Sequence, residues 1–219
     1  MNQYYISKAK ASFTTKLNLF LYEHTLAAQE WSLTLESFNR FKIAPAMVRE
    51  YTTQYWQWDY SETIRGQKIG TIYKAIDALK QQYKETFTEW ERHYVTQVFP
   101  TIFSEAEFAS RIGSKECYYC QITVDEINQL VDLGNLNKKK DRGWKLEIDR
   151  LDSNLEYTFE NTVMCCYWCN NAKTDEFTPT EFKIIGKAIR EVWNQRLRGN
   201  RFSDGIEGIR IIKPKEIDN

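Results

Sequence analysis

The sequence has no surplus of either charge. Thirty Lys and Arg balance thirty Asp and Glu over 219 residues, which excludes the visibly basic proteins that coat nucleic acid. Any contact with a polyanion must come from a local patch. No apolar run approaches the roughly 18 residues that span a bilayer. The opening MNQYYISKAKASF also lacks the charged-then-apolar order of a secretory signal. A cytoplasmic protein with no membrane segment is expected. Histidine is scarce: the chain has only His24 and His93, both in its N-terminal half, and each reads as a surface or interface residue of a helix and not as a ligand. There is no internal repeat and no low-complexity segment.

What is abundant is aromatic: 7 Trp, 13 Tyr and 12 Phe, most of which should be core because these side chains bury the largest apolar areas. The length suits one large domain or two small ones. Residues from about 5 to 110 read as helical. Phe13, Leu17, Leu19, Phe20, Tyr22, Leu26 and Ala27 partly follow helical spacing, continuing toward Trp31 and Leu35. After a break near 43–47, Pro45 suits a helix start. Ile69, Ile72, Tyr73, Ile76, Leu79, Tyr83 and Phe87, in steps of three and four, predict one long amphipathic helix over 66–99, ended or bent by Pro100. The expected organisation is a helical region at 1–110 for scaffolding, target or partner recognition, a compact domain at 111–202, and a C-terminal tail at 203–219.

Past Ala109 the texture changes. Thr123 and Glu126 have the spacing of a capping box at the head of a helix that Gly134 ends. The stretch 144–149 predicts a strand, 162–165 a second, and 179–198 a last helix, with Pro179 near its start and Gly199 just past its end. Cys117, Cys120, Cys166 and Cys169 form two Cys-x-x-Cys pairs, a spacing that lets both thiolates of a pair face one ion. Four sulfurs make the closed tetrahedral set of a structural Zn²⁺, with no open position for chemistry. Cys165 stands apart as a small buried apolar residue.

Between and beyond these cysteines lie Glu147-Ile148-Asp149-Arg150, then Tyr157-Thr158, Glu160-Asn161, and after the last Cys-x-x-Cys the run Asn170-Asn171-Ala172-Lys173. This combination, over about residues 115–185, resembles the His-Asn-His (HNH) nucleases of the ββα-metal superfamily. The resemblance implies an α+β, mainly helical chain: an N-terminal helical region followed by a small C-terminal zinc-bound ββα-metal domain. It also implies an endonuclease that hydrolyses DNA phosphodiester bonds with a catalytic Mg²⁺ or Mn²⁺ beside the structural zinc. Asp149 offers a hard oxygen to such an ion. By the family pattern Asn170 is the second metal-facing position and Asn161 the middle Asn that orients the loop. Lys173, one helical turn beyond Asn170, is placed to contact phosphate.

The departure is Arg150, which stands where the family carries its histidine base. A guanidinium stays protonated and accepts no proton from water near neutral pH, but it binds phosphate oxygens well. Glu147, on the face of Asp149 by strand alternation, is the first alternative base or ligand, followed by Asp152 and Tyr157. The basic loop Lys138, Lys139, Lys140, Arg142 and Lys145 precedes this strand directly and suits backbone contacts to nucleic acid. On the last helix, Lys183, Lys187 and Arg190 share one face. The context such nucleases suggest is restriction or anti-phage defence, with a partner protein such as an ATPase or sensor. The competing expectation is an inactive HNH scaffold that binds nucleic acid or protein without turnover.

Overall fold

The computed structural model describes residues 2–27, 32–56, 59–136 and 142–199. Lys138, Lys139 and Lys140, Trp31, the last residues of the expected domain and the whole tail from 203 lie outside them. The described chain is mainly helical with two small antiparallel sheets. Helix α1 (Gln3–Leu26) is followed by α2 (Leu35–Arg40) and α3 (Pro45–Glu50), with Pro45 at the start of its helix. A minimal hairpin, β1 (Thr63–Ile64) with β2 (Gln67–Lys68), turns through Arg65 and Gly66, both at positive φ.

The single long helix expected over 66–99 is in fact a broken rod. Helix α4 (Ile69–Gln82) stops at Tyr83, α5 (Lys84–His93) resumes, and a π-helical turn at Tyr94–Val98 leads into α6 (Phe99–Ile102). Proline lacks the N–H of the regular ladder, and the wider turn before Pro100 absorbs that loss without ending the rod at once. Helix α7 (Glu105–Ile112) spans the boundary expected at 110. Its capping box at Ser104 and Glu107 starts it firmly.

The remaining elements form a hairpin held between helices. Helix α8 (Val124–Asp132) begins at the Thr123–Glu126 capping box, and Gly134 sits beyond its end at φ 65°. Strand β3 (Glu147–Arg150) pairs with β4 (Thr162–Cys165) in the register Glu147 to Cys165 and Arg150 to Thr162. Helix α9 (Tyr167–Lys173) follows at once, and α10 (Pro179–Leu197) closes the described chain with its own capping box at Thr178.

One continuous core joins these parts. Tyr5, Phe20, Phe38, Tyr94, Phe99 and Phe103 are fully buried together with Ile122, Cys165 and Phe182. Tyr5 of α1 packs its ring 5.1 Å from Phe99 and 5.2 Å from Phe108, and its hydroxyl donates to the Phe103 carbonyl. Lys10 pairs with Glu91, and the Tyr94 hydroxyl donates to Glu156 in the loop of the second hairpin. The helical half is therefore packed against the hairpin, and α1 lies along it.

Candidate active site

The cysteine knuckle forms first, from local geometry. Cys117 donates its N–H to Ile122 O at 3.0 Å, and Gln121, at φ 57°, returns a bond to Cys117 O at 2.8 Å. This tight turn presents Cys117 and Cys120. The second pair sits at the head of α9, where Cys166 is the N-cap and its sulfur accepts from the Cys169 N–H. Tyr118 N donates to Met164 O at 2.8 Å and ties the knuckle to β4. All four sulfurs are buried and lie within 4.8 Å of one another. Zinc–sulfur bonds of about 2.3 Å in a tetrahedron place sulfurs about 3.8 Å apart, so the group can hold a metal ion such as Zn²⁺. Cys165 is buried beside it, and burial pushes its thiol up, out of reach of ionisation.

Helix α10 closes over the knuckle. Arg190 makes a bidentate pair with Glu126, both contacts at 2.7 Å, while Glu126 also caps α8. Gly186 has to be glycine: a Cβ there would stand 2.6 Å from the Tyr119 carbonyl oxygen. Lys183 lies over the Tyr118 ring at 4.1 Å.

With α9 anchored by the knuckle, its side chains meet β3 in two parallel pairs. Asn170 Nδ2 donates to Glu147 Oε2 at 2.7 Å, and Lys173 Nζ lies 3.7 Å from Asp149 Oδ2. Strand alternation puts Glu147 and Asp149 on one face, and a spacing of three puts Asn170 and Lys173 on one side of α9. The two carboxylates differ sharply. Burial would raise the Glu147 carboxyl, but hydrogen bonds from Arg142 and Asn170, with the Arg142 charge, hold it below the ordinary glutamate range. Both its oxygens are engaged, Oε1 by Arg142 Nε at 3.0 Å and Oε2 by Asn170. Asp149 is pushed the other way: burial raises its carboxyl despite Lys173. Its Oδ2 is buried and has no hydrogen-bond partner. Lys173 is itself only 2% exposed and also donates to the Arg150 carbonyl at 3.1 Å.

Arg150 faces elsewhere. Its Nη1 donates to Thr15 Oγ1 at 3.0 Å and to the Leu155 carbonyl at 2.8 Å, and the guanidinium lies 4.8 Å from the Tyr157 ring centroid. Asn161 holds the loop between the strands. Its Oδ1 accepts from Asp152 N at 2.9 Å, and its Nδ2 donates to the carbonyls of Asp152 and Glu156 at 3.0 and 2.9 Å. Asp152 Oδ1 is occupied by Asn154 N at 2.9 Å. Arg142 and Lys145 line a cleft with Glu147 and Asn170. His24 and His93 take no part: His24 stacks on Phe20, and His93 stands 3.5 Å from Asn39.

Sequence reasoning missed the contribution of α1. Tyr4, Lys8, Ser12 and Thr15 run along one side of that helix and meet the hairpin. Tyr4 Oη accepts from Ile148 N at 3.0 Å, Ser12 Oγ accepts from Tyr157 N at 2.7 Å, and Thr15 receives Arg150. The available signal was this stripe at spacings of four, four and three, beside the apolar stripe through Tyr5, Ala9 and Phe13.

No family model and no curated protein matches the sequence. Among solved structures, that of the rare-cutting HNH restriction endonuclease PacI is similar at a TM-score of 0.37 and 23% identity, over 64% of this chain and 90% of that one. A likeness this distant assigns no activity here. No helix among the described residues is long and apolar enough to cross a membrane.

Proposed function

We propose that this chain is an HNH-type endonuclease that hydrolyses DNA phosphodiester bonds with a divalent cation. The observation that carries the reading is Asp149: a buried carboxylate oxygen that accepts no hydrogen bond and has only the Lys173 ammonium 3.7 Å away, on a strand braced against a helix that four buried thiols anchor. A buried oxygen that accepts no hydrogen bond is costly unless something binds it, and a hard cation such as Mg²⁺ or Mn²⁺ suits it. Asn170, whose Nδ2 is spent on Glu147, has its amide oxygen as the second hard donor. A divalent cation bound there supplies Lewis acidity at the scissile phosphate.

The chain's own residues do the rest. Lys173 supports the Asp149 carboxylate and fixes the end of β3 through the Arg150 carbonyl. Asn161 sets the shape of the loop. Glu147 holds Asn170 and Arg142 in place and, engaged on both oxygens, is a poor proton acceptor. Asp149 Oδ2 is the oxygen best suited to take a cation or a proton. Arg150 supplies positive charge and not a base. Arg142 and Lys145, with Lys138, Lys139 and Lys140, contact the DNA backbone. The zinc at Cys117, Cys120, Cys166 and Cys169 is structural.

In this reading residues 1–110 recognise the target or a partner such as an ATPase or sensor, and residues 111–202 form the nuclease domain. The setting is a cytoplasmic restriction or anti-phage system. One observation favours a second reading, a scaffold that binds nucleic acid without turnover: Arg150 is held by Thr15, Leu155 and Tyr157, and Glu147 by Arg142 and Asn170, so neither is poised to activate water. Nicking of supercoiled plasmid with Mg²⁺ or Mn²⁺ decides between them. Activity in the parent that disappears in Asp149→Ala and Asn170→Ala supports the enzyme. A parent that binds DNA and never nicks it, with either metal, leaves the scaffold.

A further inference from the structure

The side chain that gives α1 a chemical role is Lys8. It is half-buried, yet its ammonium makes no hydrogen bond or ion pair among the described residues. It is held instead by two rings, 5.1 Å from the centroid of Tyr4 and 5.1 Å from that of Tyr157. Its charge is a minor influence on both strand carboxylates, after burial and the nearer cations, and it contacts neither as an ion pair. It lines a cleft of about 680 Å³ together with Tyr4, Arg142, Lys145, Glu147 and Asn170.

An ammonium has three donors and prefers strong acceptors. Ring faces attract its charge through their quadrupole, but they leave those donors poorly used. The cage therefore fixes the direction of the cation without satisfying it. Arg142 in the same cleft already pairs with Glu147, so Lys8 and Lys145 are the cleft's cations without a carboxylate partner among the described residues. A backbone phosphate brings charge and two unsatisfied oxygens, and in this cleft it would lie beside Glu147 and Asn170.

We propose that Lys8 is a phosphate-binding residue of the active centre, contacting a DNA phosphate in the cleft between α1 and β3, with Tyr4 and Tyr157 holding it in position. The proposal rests on the nuclease reading for its substrate and makes the first helix part of the centre. Neither composition nor motif assigns any residue of the N-terminal half to it.

Lys8→Met removes the charge while keeping the length of the side chain. Binding of a short duplex is measured by fluorescence anisotropy across a salt series, with zinc retained and no other divalent ion. The expected result is several-fold weaker binding at low salt, with a log–log salt slope shallower by about 0.9, both recovered by Lys8→Arg. Lys8→Gln repeats the measurement if the Met variant folds poorly by circular dichroism. A folded neutral variant with the parent's affinity and slope overturns the proposal, because Lys8 is then only a counter-charge for Glu147 and Asp149. A parent that does not bind DNA overturns it too. A parent whose binding depends on Lys8 but which never nicks rejects the nuclease reading and leaves this phosphate site standing.

Discussion

The cysteine knuckle and the inner face of β3 are neighbours built on opposite principles. At the knuckle, four identical groups converge, fully buried, on a point that could hold a metal ion. On β3, charges of both signs are spread over three elements, and each is satisfied to a different degree. Glu147 is saturated, Asp149 has an oxygen that accepts no hydrogen bond, Lys8 has only rings, and Arg150 is turned to α1. A closed set of ligands fixes a shape; an unevenly satisfied set leaves places for a substrate and an ion. The first holds α9 still so that the second can be arranged along β3.

Removing the metal is the harshest test of that division. Chelation, or Cys166→Ser, should unfold the region from Cys117 through α10, because metal affinity and folding are one free energy at such sites. Circular dichroism should show a large loss of helix, and metal analysis of the parent about one zinc per chain. A chain that keeps its helices without metal would break the comparison at its first half.

Asp149→Ala should act on the open face alone. On the nuclease reading, nicking should fall by about 100-fold or more, while zinc content stays at the parent's level. Gly186→Ala acts on the closed side: the new methyl meets the Tyr119 carbonyl at 2.6 Å, and lifting α10 off the knuckle should cost roughly 1–3 kcal/mol of stability. Denaturant unfolding measures it, and the zinc should become easier to extract.

The smallest effect is a pH dependence. The folded-state value of Glu147 is depressed. Its contribution to stability is therefore present above its ordinary value of 4.5 and lost as pH falls through the folded value. Glu147→Gln should melt below the parent near neutral pH, and the gap should close on acidification. Asp149 has the opposite sign: its raised carboxyl makes ionisation costly to the fold, so this group's contribution declines as pH rises from 3.8 through its folded value. Equal pH dependence of Glu147→Gln and parent melting would erase the distinction between the two carboxylates.

Much of this was legible in order of locality. The capping box at Thr123, the strand expected over 144–149 and found at Glu147–Arg150, the strand at 162–165 and the paired cysteines are short-range patterns whose geometry follows from spacing of three or four residues or from alternation. Pro100 was read correctly as a disturbance, but the break at Tyr83 was not, since the apolar spacing runs through it. Asp149 and Asn170 stood out through the resemblance to HNH nucleases, and Lys173 by its place one helical turn beyond Asn170. What each of them touches did not.

The sequence by itself determined the four thiols, the two-strand-and-helix order around them, and which residue types flank them, because these depend on neighbours along the chain. Only the tertiary structure decided that Glu147 is saturated while Asp149 keeps an oxygen without a hydrogen bond, that Arg150 is bound to Thr15, and that Lys8 stands in the cleft. Those are differences in desolvation and in the supply of hydrogen-bond partners. The last two arise from a helix more than 130 residues away in sequence, which no local pattern could bring to the strand.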